Sequence, residues 1–271
     1  MPTITKISAQ KKPGRYNLFL DDRYAFAVNE ATIAHFILLP GKELSSVAVS
    51  KIETYDASNR ALQLAEHFLS YQMRTKQEVV HYLAMHDIDD ETSEPVVEKL
   101  SRLGLLDDAA YVRLFIKNTL KIGKDGPRQI SQKLTHKGIS NDLIEEMLVK
   151  VPQSDWLSVG KRAVKALMSQ KGRFSQREFD QRIKARLMAH GFDSALVTEI
   201  MADLPVEVDS DDVQQALKKQ GITAYKRFRR YPEIVCRQKM KTYLFKHGFE
   251  SEQIDKFIDG DIISWEVLRQ Y

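Results

Sequence analysis

The residues best suited to chemistry in this sequence are its seven histidines, its single cysteine and an adjacent pair of aspartates. Catalysis would require a nucleophile beside its base, a metal-binding cluster or a glycine-rich phosphate loop, each at a fixed spacing. None of these patterns appears, Cys236 has no sequence support as a nucleophile, and no carboxylate cluster suited to Mg²⁺ is apparent. The sequence therefore predicts a protein that is not an enzyme and has no catalytic, metal or cofactor site.

The histidines and aspartates are better explained as helix caps. His86, His190 and His247 each immediately precede the residue that ends a predicted helix, where a cation suits the negative end of the helix dipole. We favour this interpretation over metal binding. Asp107 and Asp108 begin a helix and can accept hydrogen bonds from its first amides. Being adjacent, they point in different directions, which disfavours a catalytic carboxylate pair.

Charge is the strongest indication of function. The net charge is only +4, but the segment from 53 to 105 is acidic while 161–186 and 218–246 are densely basic. Such clusters attract polyanions. The less specific alternative is a set of solvated helix faces. We predict that the filament-binding or nucleic-acid-binding residues are Lys165, Lys171, Arg173, Arg177, Arg182, Lys226, Arg227, Arg229, Arg230 and Lys239.

Aromatic residues give weaker indications. Tyr225, Phe228 and Tyr231 are interleaved with the second basic cluster, which favours nucleic-acid binding by base stacking. Tyr111 and Phe115 share one side of a predicted helix with Leu114. They could stack on bases, but helical spacing favours a place in the core.

Most of the chain is predicted to be helical and repetitive. Leu134 to Gly138, Leu187 to Gly191 and Leu244 to Gly248 share one spacing, with a weaker copy at Leu83 to Asp87. This pattern predicts four three-helix modules in an elongated, curved row, each needing a neighbour to bury its apolar face. The predicted limits are 53–105, 106–152, 153–205 and 206–271.

Residues 1–52 are predicted to form a small appendage of strands and a helix. Apolar residues alternate with polar ones over 3–28, with turns at Lys11 to Gly14 and at Asp21 to Arg23. This is typical of a three-stranded meander. Because a sheet of three short strands is not stable unless another element packs on it, we expect the helical segment from Asn29 to Phe36 to pack on one face of the sheet. The predicted fold class is mainly α with this β-meander appendage.

Two motifs in the helical part resemble a known family. The first runs through Leu106-Asp107-Asp108, Tyr111, Phe115, Gly126-Pro127, Ile130, Leu134 and Gly138-Ile139. It resembles the central motif of the RecX family, regulators of the RecA recombinase. The second, Arg74-Thr75 followed by Glu78-Val79, resembles that family's first-module signature and has the form of a capping box. The length and appendage resemble longer members from Gram-positive bacteria.

The resemblance implies a function in DNA repair and homologous recombination, within the SOS response. Such proteins lie in the groove of the RecA filament on single-stranded DNA and mainly inhibit its ATPase and strand exchange. The implied partners are the RecA filament and single-stranded DNA, contacted directly or through RecA. The alternative is an autonomous nucleic-acid-binding protein built from helix-turn-helix-like modules.

The lone cysteine and the absence of a long apolar run also indicate the compartment. One cysteine cannot form a disulfide framework, and the start of the chain lacks an apolar signal core. No segment approaches the ~20 apolar residues that span a bilayer. We therefore expect a cytoplasmic monomer without a membrane partner.

Overall fold

In the computed structural model, the described residues are 1–11, 13–170, 172–204 and 210–271. The chain begins with an antiparallel sheet of strands β1 (Ile4–Ala9), β2 (Arg15–Leu20) and β3 (Arg23–Asn29), in that order. Asp21 and Asp22 both take positive φ values, 47° and 63°, in the tight turn between β2 and β3. The predicted meander is confirmed.

Helix α1 (Glu30–Phe36) covers the sheet, as predicted, but it does so together with a second helix. Ile4, Leu18 and Val28 of the sheet form a core with Ile52 of α2, and Ile33 of α1 packs against it. Helix α2 begins at Ser46, where Ser45 caps its first turn, seven residues before the predicted limit of the first module at residue 53. One helix therefore serves both the appendage and the first module.

The remaining helices form consecutive groups of three, which confirms the tandem helical fold. Their bounds are α2 (Ser46–Tyr71), α3 (Lys76–Ala84), α4 (Asp90–Arg102), α5 (Asp108–Ile122), α6 (Pro127–Thr135), α7 (Asn141–Val149), α8 (Gln153–Met168), α9 (Gln176–Ala189), α10 (Ser194–Ala202), α11 (Ser210–Phe228), α12 (Glu233–Lys246) and α13 (Ser251–Asp259). A short helix, α14 (Trp265–Leu268), follows. We call α2–α4, α5–α7, α8–α10 and α11–α13 modules 1 to 4. The boundary predicted between residues 205 and 206 lies outside the described residues.

The chain divides into two compact units. Unit 1 comprises Met1–Arg113 and Leu134–Leu143, and unit 2 comprises Leu114–Lys133 and Ile144–Tyr271. Module 1 has its own core, which includes Ala61, Val79 and Leu100. Module 4 has another, which includes Met240 and Phe257. No helix among the described residues is both long and apolar enough to cross a bilayer.

The buried side of helix α5 differs from the side that was predicted to lie in the core. Its fully buried residues are Val112 and Ile116, whereas Leu114 is 43% exposed and Tyr111 and Phe115 are only partly buried. Periodicity correctly grouped Tyr111, Leu114 and Phe115 on one side, but that side borders the buried stripe.

Candidate functional site

The predicted basic residues all belong to modules 3 and 4, within unit 2. Lys165 lies on α8, Arg173 on the following loop, and Arg177 and Arg182 on α9. Lys226 and Arg227 end α11, Arg229 and Arg230 follow it, and Lys239 lies on α12. All are exposed except the half-buried Lys239. Lys171 lies outside the described residues.

Few of these charges are neutralised within the fold. Among the candidates that the structure describes, only Arg182 forms an ion pair, at 2.9 Å from Glu178. Other basic residues of the same clusters are paired, as in Lys161 with Asp203 at 2.7 Å. Because the other described candidates have no ion-pair partner in the described part of the chain, their positive charge remains available to a ligand.

The aromatic residues interleaved with the second cluster differ from the prediction. Tyr225 and Phe228 are partly buried against the module 4 core, which leaves them less accessible for stacking than an exposed ring. Tyr231 is 48% exposed, and the ammonium of Lys239 lies 4.7 Å from its ring centroid. The helical period placed all three beside the basic residues but could not show which ones faced inward.

An exposed aromatic that the sequence did not single out lies at the end of α12. Phe245 is 59% exposed. It lines a groove of about 550 Å³ between modules 3 and 4, with Arg177, Lys184 and Gln253 in the same wall. The structure explains its exposure: Cys236, Met240 and Leu244 form the buried stripe of α12, and Phe245 falls one residue beyond it.

The capping motifs of the repeats form contacts between modules. Thr75 caps α3 in the predicted box with Glu78, and its hydroxyl also donates a hydrogen bond to the Lys137 carbonyl at 2.7 Å. Lys137 also contacts Glu78, because its Nζ lies 2.6 Å from the Glu78 carboxylate. The next residue, Gly138, has φ +77° and lies directly against Gln77. The start of one middle helix therefore binds the end of the next.

Glu78 and Lys137 shift each other's titration at this junction. Burial raises the pKa of Glu78, but hydrogen bonds from Lys137 and the Thr75 amide, with the charges of Lys137 and Arg74, outweigh it and leave that pKa below its ordinary value. The hydrogen bond to Glu78 raises the pKa of Lys137, against a smaller opposing effect of burial. Both residues are thus held in their charged forms at neutral pH.

Modules 3 and 4 repeat this contact with different residues. The Ser175 hydroxyl donates to the His247 carbonyl, and His247 Nδ1 lies 3.2 Å from Glu178 Oε2. Gly248 follows with φ +82°. We call each such meeting of a middle-helix start and a middle-helix end a module junction.

The junction of modules 2 and 3 uses backbone amides instead of a hydroxyl. The Gly126 N–H donates to the His190 carbonyl at 2.7 Å, and the Arg128 N–H donates to the Gly191 carbonyl at 3.1 Å. Asp125 lies 3.5 Å from His190 Nδ1. Two of the three predicted capping histidines therefore face a carboxylate of the preceding module.

The third histidine and the aspartate pair act largely as predicted. His86 Nδ1 lies 2.9 Å from the Tyr82 carbonyl of its own helix. Asp107 accepts the Ala110 N–H at the start of α5, whereas Asp108 accepts the Lys76 N–H at the start of α3, at 3.0 Å. The two carboxylates therefore accept hydrogen bonds from the starts of different helices.

The geometry does not assemble a catalytic centre in the part of the chain that is described. There, no three His, Cys, Asp or Glu side chains are grouped as a metal site would require. Cys236 is buried against Met240, and burial raises the pKa of its thiol, which disfavours the thiolate that nucleophilic attack would need.

Comparison with known proteins agrees with this architecture. The sequence model described as the regulatory protein RecX N-terminal domain matches residues 2–45. Models for the first, second and third RecX three-helix domains match 61–100, 107–148 and 210–258. The third of these corresponds to module 4, so module 3 lies between the second and third matches.

Relatives match along the whole chain. A regulatory protein RecX from Lactobacillus delbrueckii subsp. bulgaricus is 48% identical over 271 residues, 100% of both chains. One from Oceanobacillus iheyensis is 32% identical over 97% of this chain and 99% of its own. A crystal structure of regulatory protein RecX, 32% identical, covers 74% of this chain and 100% of its own, with a TM-score of 0.61. The chain belongs to the RecX family of regulatory proteins.

Proposed function

We propose that this protein binds the filament that RecA recombinase forms on single-stranded DNA and inhibits its ATPase and strand exchange in recombination and repair. The contact surface comprises Lys165, Lys171, Arg173, Arg177, Arg182, Lys226, Arg227, Arg229, Arg230 and Lys239. Family membership supports a regulatory function. The observation that carries the proposal is that the described candidates, Arg182 apart, are positively charged without a carboxylate partner.

The function is tested by measuring RecA ATPase on single-stranded DNA with increasing amounts of this protein. Inhibition well below one copy per RecA is expected, because a regulator that caps ends or spreads disruption acts on many subunits. Affinities for bare single-stranded DNA, duplex DNA and RecA-coated DNA across a salt series separate this function from autonomous nucleic-acid binding. A regulator prefers the coated strand, and equal affinity for bare and coated strands would contradict the proposal.

The surface is tested by reversing the charges of Arg227, Arg229 and Arg230 to glutamate together. The affinity for the filament should fall at least tenfold. Its dependence on salt concentration should also become weaker, because that dependence comes from counterions that are released when cationic side chains bind phosphates. The matched control reverses Lys51, Lys99 and Arg102, exposed residues of module 1, and changes the net charge by the same amount. Equal losses in both variants would show that net charge, and not this surface, governs binding.

A further inference from the structure

We propose that the groove beside Phe245 binds one base of a single-stranded nucleic acid, which stacks on the phenyl ring while Arg177, Lys184 and Lys246 contact the adjoining phosphates. This inference makes the proposed function more specific. It rests on that function only in taking the bound strand to be the single-stranded DNA of the filament. The binding itself requires no recombinase, so it can be tested separately.

The first step of the argument is the exposure of the ring. Phe245 is 59% accessible although large aromatic side chains normally contribute to the core, and the nearby Phe249 is 2% exposed. The groove of about 550 Å³ continues into a smaller cleft of about 210 Å³ that shares Arg177, Gln181 and Phe245. These dimensions suit a small planar ligand group rather than a helix or strand.

The second step is the balance of charge around the ring. Arg177, Lys184 and Lys246 line these clefts, and none has an ion-pair partner among the described residues. Three acids lie among the lining residues. Glu178 pairs with Arg182, Asp180 accepts from Gln176 at 2.8 Å, and Glu250 is the N-cap residue of α13. Because none of these acids is ion-paired with Arg177, Lys184 or Lys246, each of the three cations can pair with a phosphate of an entering strand.

The third step is the combination of these groups. An accessible aromatic face flanked by unpaired cations is how proteins hold unpaired bases without reading sequence, because every base has a π-face and every nucleotide a phosphate. The Gln181 amide can donate and accept hydrogen bonds at a base edge, and the Gln253 amide, whose oxygen accepts the Glu250 N–H at 3.3 Å, can donate. Duplex DNA keeps its bases stacked on each other and cannot offer one to the ring.

A comparison of the same repeat position in three modules supports a binding function for this groove. The residue three positions before the helix-ending glycine is Thr135 in module 2, Met188 in module 3 and Phe245 in module 4. In module 2 the Thr135 hydroxyl donates a hydrogen bond to the Asn141 side chain at 3.0 Å, whereas the junction contacts themselves use neighbouring residues. An aromatic side chain is therefore not demanded there by the fold.

The test uses fluorescently labelled oligothymidine and an abasic oligomer of equal length, with no recombinase present. Phe245→Ala should weaken oligothymidine binding between about 5-fold and 100-fold, the range for loss of one stacked base, and leave abasic binding unchanged. Phe245→Trp should restore the affinity. Arg177→Gln with Lys184→Gln should weaken both oligomers and reduce the salt slope by about 0.7 for each lost phosphate contact.

The control variant is Ile234→Ala, because Ile234 is 84% exposed on the same helix and does not line the groove. Equal effects of Phe245→Ala on both oligomers, or none on either, would overturn the proposal. If Phe245→Ala spared bare oligothymidine but weakened binding to RecA-coated DNA, the groove would bind protein and the stacking site would be refuted. A protein that stacks bases normally but does not affect RecA ATPase would instead refute the proposed function.

Discussion

Gly138 provides the sharpest test of the module junctions. A Cβ at this glycine would lie 2.2 Å from Gln77 Cβ and 2.4 Å from Gln77 Cγ, far inside van der Waals contact. Because Gln77 Cβ is the root of its side chain, a rotamer change cannot remove the clash. Gly138→Ala should therefore incur two costs. The left-handed φ of +77° costs about 1 kcal/mol for a residue with a Cβ, and overpacking adds about 1–3 kcal/mol.

Gly104 separates these two costs. Its φ is +71°, almost the same as that of Gly138, but a Cβ there would meet nothing within 4 Å. Gly104→Ala should therefore show only the backbone cost of about 1 kcal/mol. The difference between the two variants isolates the close approach of α3 and the turn after α6, which both lie in unit 1.

Hydrogen–deuterium exchange measures this difference locally and avoids assuming a two-state transition for a chain of several modules. Peptides covering 75–84 and 134–143 should exchange about 10-fold to 100-fold faster in Gly138→Ala than in Gly104→Ala, since 1.4 kcal/mol corresponds to a factor of ten. If both variants gave the same exchange in these peptides, the junction would not be closely packed and the reasoning would fail.

Two further predictions concern the polar contacts of the junctions. Because the pKa of Glu78 is lowered, its pairing with Lys137 should stabilise the fold fully above the unfolded pKa of about 4.3 and be lost as pH falls through the lower folded value. In urea titrations, wild type should therefore be more stable than Glu78→Gln by about 1 kcal/mol at pH 7, and this difference should shrink as pH falls below about 4.3. A difference that did not change with pH would exclude the ion pair as its source. Ser175→Ala should cost about 1–2 kcal/mol and raise exchange on both sides of the junction of modules 3 and 4, since the hydroxyl caps α9 and binds the His247 carbonyl. Ser264→Ala, which removes only the cap of α14, should cost less and leave exchange at that junction unchanged, and equal behaviour of the two variants would refute a junction role for Ser175.

Features determined by local chemistry could be predicted from the sequence. Pro127 begins α6 because its missing donor and fixed φ suit the first helical position, and Gly138 takes the left-handed conformation that ends this helix. The Thr75 to Glu78 capping box forms as its spacing predicts. In each case the determining contacts lie within a few residues along the chain.

Features that depend on distant contacts were not predicted. The spacing of Thr75 and Glu78 does not show that they also bind Lys137, because that pairing depends on how neighbouring modules pack. The exposure of Phe245 was missed for a related reason. Helix α12 has apolar residues on several sides, so periodicity alone does not choose its buried stripe.

The junctions also explain why the family motif identifies structural residues and does not identify the ligand-binding surface. Thr75, Glu78 and Gly138, which carry much of that resemblance, lie at the junction of modules 1 and 2. The Thr75 and Glu78 side chains bind Lys137, and Gly138 packs against Gln77. Substituting them should change stability before it changes binding. The residues proposed to contact the filament are, Lys239 apart, exposed wherever the structure describes them. A motif that specifies the architecture therefore identifies the family, whereas the ligand surface must be found from exposure and unpaired charge.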